Sequence, residues 1–346
     1  MLTLNRRALL DYIKNNPEKS SKEIHEGALV DASYATVKRM LQQLIDERLI
    51  TPEGAGRGTK YQISHSYSLF YPIDLSTYFE KEIDEREVSE AYNLDLLSSV
   101  LPGIALFTEG ELAKLNALQA TFRENISVLS PLEYDKELER LAIDLSWKSA
   151  QIEGNTYSLL ETERLLKDKE TALGKKKEEA IMLLNHKEAL DFIIEDPSYI
   201  DPLSISRIED IHTILMKELG IERNIRQRRV GITGTNYRPL DNEYQIREEL
   251  RKMCDLVNDR ENIFEKALLL LVVISYLRAF VDGNKRTGRI ISNAILINNG
   301  YCPISFRTIS PLDYKKAMLV FYEQNNMQAF KEVFIDQFEF SVRTYF

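Results

Sequence analysis

The chain has 346 residues, room for about two domains at a usual ~100–200 residues each. Its 45 Lys+Arg against 54 Asp+Glu give a formal charge of −9, which excludes a protein coated with positive charge for nucleic acid but leaves room for a local basic patch. With 44% hydrophobic and 29% charged residues wholesale disorder is excluded, and two cysteines, Cys254 and Cys302, exclude a disulfide scaffold or a cysteine zinc cluster and suit a reducing cytosol.

At the N-terminus Leu2–Leu10 carries Arg6 and Arg7 inside its apolar pattern and lacks a small-residue cleavage site, so it does not read as a signal peptide. Leu9, Leu10 and Ile13 fall at helical spacing and stop at Asn15-Asn16-Pro17; Ser20-Ser21 then offers an N-cap for a short helix through Ile24. A third helix is predicted over Ser33–Arg48, with Val37, Met40, Leu41, Leu44 and Ile45 buried and Tyr34, Lys38, Arg39 and Gln42 outside. The glycine-rich turn Glu53–Gly58 before the strand-like Lys60–Ile63 predicts a hairpin with Arg57 at its tip. Its glycines lack the G-x-G-x-x-G spacing of a dinucleotide fingerprint. Three helices and a basic-tipped hairpin over residues 1–65 resemble a small α+β winged helix-turn-helix domain. The resemblance implies DNA contacts from Lys38 and Arg39 on the third helix and from Arg57 on the wing. Ten basic and eight acidic residues leave this stretch at +2 and the remainder at −11, so protein contacts or dimerisation stay open as its alternative use. A homodimer would double the basic footprint.

Residues 66–130 begin irregular and aromatic-rich, with Tyr67, Phe70, Tyr71, Tyr78 and Phe79, and read as a connection packed on the next domain rather than a free linker. From there the chain is predicted to be mainly α, with helices over Gly110–Asn125, Leu132–Ile152, Ser158–Lys167, Lys175–Ile194, Ser204–Leu219, Glu243–Asn258, Ile263–Leu277, Arg286–Asn299, Pro311–Asn325 and Met327–Phe346. One extended piece, residues 229–239, has glycines and β-branched residues that predict a β-hairpin. The most apolar run, Ala267–Leu277, has eleven residues where a membrane crossing needs about 20. It reads as a helix buried on all sides, and the expected location is cytoplasmic with no membrane partner.

That apolar helix runs into Arg278-Ala-Phe-Val-Asp-Gly-Asn-Lys-Arg-Thr-Gly-Arg289 and a second helix. Asp282–Lys285 is therefore a tight polar turn at a helix N-terminus, where orphan N–H groups and the positive end of the dipole attract anions. Lys285, Arg286 and Arg289 add cationic side chains, and Asp282 has the chemistry to hold Mg²⁺ against a phosphate. On these residues alone a phosphate-binding loop and a capped turn with surface cations remain equal readings.

Phe280–Arg289 resembles the Fic family motif, His-Pro-Phe-x-x-Gly-Asn-x-Arg-x-x-Arg. Ser149-Ala-Gln-Ile-Glu153-Gly154 fits that family's inhibitory pattern, [Ser/Thr]-x-x-x-Glu-[Gly/Asn], on a helix at about 140–153, and the 229–239 hairpin looks like its target-binding flap. The resemblance spans about residues 75–340 and implies a Fic-type helical bundle over 131–346. It implies AMP transfer from ATP to a target hydroxyl, with Asp282 on Mg²⁺, Gly283 and Asn284 cradling phosphates beside Lys285, Arg286 and Arg289, and Glu153 as the inhibitory partner of Arg289. A target segment would add as a strand along Gly231, Ile232, Thr233, Gly234 and Tyr237. Glu153 also has a plainer role, closing its helix ahead of Gly154 and the capping box at Ser158 and Glu161.

The motif's histidine, which takes the proton from the target hydroxyl, is Arg278 here, and its proline is Ala279. Guanidinium cannot accept a proton near neutral pH. None of His25, His65, His186 and His212 lies in the motif, and the nearest, His212, is 66 positions earlier. Tyr276 is the nearest other titratable group, with an ordinary pKa near ~10 that makes it a poor base. Lys285 stands where the family usually has glycine; relatives with such a lysine, such as the Doc toxin, transfer a phosphoryl group, which also needs the histidine. The leading expectation is a degenerate Fic protein that binds ATP or another nucleotide and DNA as a regulator. The alternatives are a working adenylyltransferase acting on a protein target with a substitute base, or a core that serves only as a binding scaffold.

Overall fold

The computed structural model describes residues 3–346, with the side chain of Arg57 outside the described residues, so the reading of Arg57 as a DNA contact falls outside them too. Helices α1 (Leu4–Asn15), α2 (Ser21–Gly27) and α3 (Tyr34–Asp46) pack with strands β1 (Lys19–Ser20), β2 (Ile50–Glu53) and β3 (Lys60–Ile63). The strands form an antiparallel sheet in the order β1-β3-β2, closed by a short 3₁₀ turn at Gly56–Gly58. Each helix starts on a hydroxyl cap: Thr3, Ser20 with Glu23 in a reciprocal box, and Ser33. Leu9, Leu10, Ile13, Ile24, Val37, Leu41 and Leu44 make a core separate from that of the rest of the chain. Met40 and Ile45, expected in the buried stripe of α3, are only partly buried, while Lys38, Arg39 and Gln42 are exposed as the periodicity indicates.

The aromatic connection does pack. In α4 (Tyr67–Phe70) the Leu69 carbonyl accepts from the Met327 N–H at 2.9 Å, and in α5 (Leu75–Glu80) Tyr78 donates to a buried Glu323 carboxylate at 2.6 Å. Arg86 completes that buried pair at 3.4 Å from Glu323 and lies over the Phe79 ring. Helix α6 (Glu109–Ser127) leads into the bundle, which comprises α7 (Pro131–Ile152), α8 (Leu159–Asp168), α9 (Lys177–Glu195), α10 (Ile205–Leu215), α11 (Glu243–Asp259), α12 (Ile263–Leu277), α13 (Asn284–Asn298), α14 (Pro311–Gln324) and α15 (Gln328–Tyr345). The chain is thus mainly helical.

Helix α12 is buried on every side, and α13 returns along it. The two approach so closely that a Cβ on Gly288 would stand 3.2 Å from the Leu270 carbonyl oxygen, so a larger residue there would push the motif helix off its partner. Among the described residues no helix is long and apolar enough to cross a membrane.

Two expectations are corrected. Helix α10 ends at Leu215 rather than Leu219, because Glu218 and Gly220 take positive φ (60° and 66°) and turn the chain toward the motif. Residues 229–239 are an arm turning at Thr233-Gly234, not a hydrogen-bonded hairpin; their only recorded bridge is Ala91 with Arg238. Bonds to the 86–91 segment stand in for the ladder: the Arg86 guanidinium donates to the Gly234 carbonyl at 2.7 Å, and the Arg238 backbone N–H donates to the Glu90 carbonyl at 2.7 Å.

Candidate functional site

Arg278 ends α12 in the left-handed region (φ 46°), which turns the chain out of the apolar helix toward α13. A second arginine fixes that turn. Arg226 is 1% exposed and bonds only carbonyls; its Nε donates to the Arg278 carbonyl at 2.6 Å, its Nη1 to Arg228 at 2.9 Å, its Nη2 to Leu240, and its backbone N–H to Ala279 at 3.0 Å. The base of the flap and the start of the motif are thus tied through one buried cation.

The turn itself closes on Asn284. Its side chain accepts from the Phe280 N–H at 2.9 Å and donates to the Phe280 carbonyl at 2.8 Å. The Asn284 side chain thus holds the loop, and its backbone N–H in the first turn of α13 is the group left to meet an anion. Gly283 has φ 81°, and a Cβ there would stand 2.6 Å from the Met216 methyl. Gly283→Ala is expected to destabilise the fold by ~1–2 kcal/mol through strain and overpacking, read as a lowered midpoint in urea melts.

His212, set aside in the sequence as remote from the motif, lies under this turn. Its ring stacks on Phe280 with centroids 3.7 Å apart, Nε2 lies 2.9 Å from the Asp282 carbonyl oxygen, and Nδ1 lies 3.2 Å from that of Arg223. Burial, against the pull of those carbonyls, brings its pKa down to about 4. It is a neutral donor that positions the loop, with no access to a target hydroxyl, since it is completely buried. No spacing in the sequence signals this contact, 70 positions across.

The cations cluster as the motif implies. Arg289 is fully buried, donates from Nε to the Ser149 hydroxyl at 2.9 Å and from Nη2 to Glu153 at 2.8 Å. Lys285 donates to the other oxygen of Glu153 at 2.7 Å. The carboxylate therefore bridges two cations rather than forming a fork with one. Burial raises the Glu153 pKa, but Lys285 and Arg289 outweigh it and hold the group down at about 2. Gly154 takes φ 93° just beyond, so closing the helix and pairing with the motif occur together at this position. Arg286, 1% exposed, reaches Asp282 Oδ2 at 2.9 Å. His186 faces the same cluster with Nδ1 3.3 Å from the Ser146 hydroxyl, and burial followed by the charges of Arg289 and Arg286 keeps it neutral.

Three buried guanidinium donors here have no acceptor: Nη1 of Arg289 and Nε and Nη1 of Arg286. Buried unpaired donors are expensive, and an anion removes the penalty, so the loop fits a phosphate group. Among the described residues no group of three His, Cys, Asp or Glu is placed to hold a metal. Asp282 nevertheless suits Mg²⁺, which is held by one or two carboxylates with waters and phosphates; its side chain is 50% exposed and only Oδ2 is engaged.

On the flap side, Gly231, Ile232 and Thr233 face Arg278, Lys285, Lys315 and Tyr322 across a cavity of about 200 Å³. Gly234 stands beside Leu319 and Lys315. Tyr237, expected on the target-binding face, is instead 2% exposed and donates to the Tyr276 carbonyl at 3.1 Å, because the arm needs an anchor in the core. Tyr276 leaves the site as well: its hydroxyl accepts from the Asn93 N–H at 2.9 Å, its ring stacks between Tyr92 and Tyr237, and burial raises its pKa. Lys38 and Arg39 are remote from all of this, on the outer face of α3.

Residues 202–296 match the family model described as Fic/DOC family. Among curated proteins the chain is 25% identical over 181 residues to Protein adenylyltransferase fic-1 of Caenorhabditis elegans, a match covering 50% of this chain and 35% of the relative. It is 29% identical over 176 residues to Protein adenylyltransferase Fic of Nematostella vectensis, covering 49% and 40%. The chain thus spans well under half the length of these relatives. Among solved structures, Fic-1 (residues 134–508) from C. elegans superposes with TM-score 0.60 at 21% identity, over 68% of this chain and 71% of that one. A Fic domain containing signaling protein from Bacteroides thetaiotaomicron gives TM-score 0.57 at 19% identity, over 66% and 94%. The chain has the Fic fold, and its residues 202–296 are a Fic/DOC domain.

Proposed function

We propose that this protein binds ATP with Mg²⁺ at the Asp282–Arg289 loop, transfers AMP at a trickle or not at all, and couples nucleotide occupancy to DNA binding by its N-terminal module. The observation that carries this is the pairing of unsatisfied buried donors on Arg286 and Arg289 with a guanidinium at position 278, an anion site without its base. Mg²⁺ on Asp282 would neutralise phosphate charge, while Arg286, Arg289 and the α13 N-terminus hold the phosphates. General-base catalysis contributes typically ~10²–10⁴-fold, and its absence separates this reading from the working transferase that the relatives' names suggest.

Incubation with labelled ATP and Mg²⁺ in lysate, beside calorimetric titration of ATP, tests the reading. Binding that falls on Asp282→Ala without labelled product supports it. Label transfer that disappears on Asp282→Ala or Asn284→Ala assigns a working transferase instead.

For the N-terminal module, Lys38 and Arg39 on the exposed face of α3 and Arg57 near the wing are the proposed phosphate contacts. Duplex affinity is expected to fall with rising salt, and Arg39→Ala with Arg57→Ala to flatten log K against log[salt] by about one unit per lost contact. Binding indifferent to salt, or unaltered in the double variant, would remove DNA as the partner and leave protein contact or dimerisation.

A further inference from the structure

The cavity beneath the flap is the least explained feature of the molecule. In the motif this is where a histidine meets an uncharged target hydroxyl, yet here its wall carries three cations, Arg278, Lys285 and Lys315. Two of its polar groups are unpartnered. The Arg278 Nε is buried without an acceptor, and so is the hydroxyl of Tyr322, a residue only 2% exposed that lines the same space. Like charges gathered around unpaired donors are unfavourable unless an anion joins them. Glu153 answers only one of the three, through Lys285. No acidic residue lines the cavity.

The size is informative too. About 200 Å³ is room for roughly six or seven waters at ~30 Å³ each, enough for a phosphate group and its ester carbon. Gly231–Thr233 forms one rim, and the recorded backbone hydrogen bonds of the arm lie elsewhere, at Arg226, Gly234 and Arg238. A strand laid along that rim would find free donors and acceptors, with one side chain reaching down to the cations.

We propose that the flap cavity is a phosphate-ester site that takes a phosphoserine or phosphothreonine side chain of an extended peptide, held by Arg278, Lys315 and the Tyr322 hydroxyl. The arginine at the histidine position then has a positive role: it converts a site that meets a hydroxyl into one that reads a phosphorylated hydroxyl. This rests on the Fic-like geometry described above but not on nucleotide binding itself, which uses Arg286 and Arg289, neither of which lines the cavity.

The test is fluorescence anisotropy with the full chain and three degenerate octapeptide pools, fixed at the centre as phosphoserine, serine or glutamate. The phosphoserine pool is expected to bind at least ~10-fold tighter than the other two, and Lys315→Ala or Arg278→Ala to lower that affinity ~10-fold or more, as for loss of a charge-assisted hydrogen bond. Lys315 is exposed, so its variant tests the site without a burden on folding. Equal binding of the three pools, or phosphopeptide binding indifferent to both substitutions, overturns the proposal. Displacement of the phosphopeptide by AMP together with its loss in Arg289→Ala also overturns it, since the cavity is then part of the nucleotide's own subsite. ATP binding without phosphopeptide binding overturns this proposal alone; phosphopeptide binding without ATP binding supports it and overturns only the nucleotide reading.

Discussion

With histidine in place of Arg278 in a Glu153→Gly chain, transfer of labelled AMP to protein is expected to rise by roughly 10²–10⁴-fold over the same chain with arginine. The backbone at 278 is already set for such a residue. Its N–H donates to the Ile274 carbonyl at 3.2 Å, its carbonyl is held by Arg226 at 2.6 Å, and φ 46° lies in a region that histidine visits more readily than most residues. An imidazole there would take the proton of a target hydroxyl as its oxygen attacks the α-phosphorus of ATP, with pyrophosphate leaving. No group present does that work: Arg278 stays cationic, the Tyr322 hydroxyl beside it has its pKa pushed up by burial, and His212 is sealed beneath Phe280. The rate is read from single-turnover labelling with the target pool in excess. If the histidine chain is no faster than the arginine chain, the missing base is not what limits transfer, and the degenerate reading loses its main support. The same substitution should abolish the preference for phosphoserine, because a neutral imidazole offers one donor where guanidinium offers a fork.

How much of this was legible depends on whether the signal was local. Helix α12 and the turn after it could be read because an eleven-residue run apolar but for Ser275, followed after five intervening residues by a Gly-Asn-Lys-Arg turn, admits few structures, and the caps at Ser33 and Ser158 mark helix starts in plain sequence. The pairing of Glu153 with Arg289 was legible only through resemblance, since nothing in either local pattern points across a separation of 136 positions. Tyr276 shows why proximity in sequence misleads. Two residues before Arg278, it sits roughly 200° around the helix, so it packs between Tyr92 and Tyr237 and does not line the flap cavity. Residues 229–239 read as a hairpin because glycines and β-branched residues favour extended chain, but the Arg86 side chain took the Gly234 carbonyl and Arg238 bonded the Glu90 carbonyl in place of a partner strand. Arg226, His212 and Tyr322 carry no signature at all; each matters through a contact made across the tertiary fold.

Glu153→Gly is expected to tighten ATP binding by ~10–100-fold and to lower the melting temperature of the free protein by several degrees. Both follow from one carboxylate. Bridging Arg289 at 2.8 Å and Lys285 at 2.7 Å, it occupies the two cations that phosphates would otherwise meet, and releasing a charge-assisted hydrogen bond of ~1.5–3 kcal/mol sets the gain in affinity. Its departure leaves Arg289 fully buried with only Ser149 as a hydrogen-bond partner, the costly half of a broken buried pair. The same two contacts set the pH dependence. Held at about 2 against an ordinary 4.5, Glu153 contributes about 3 kcal/mol that is fully present above pH ~4.5 and is lost as pH falls toward 2. The stability difference between the native chain and Glu153→Gly should therefore be constant near neutrality and close over that acid window. ATP should restore the melting temperature of the variant more than that of the native chain, by mass action at the freed site. Equal ATP affinity and equal melting temperature in the two chains would mean that Glu153 closes its helix and nothing more, and that Arg289 is available to phosphate in the native chain.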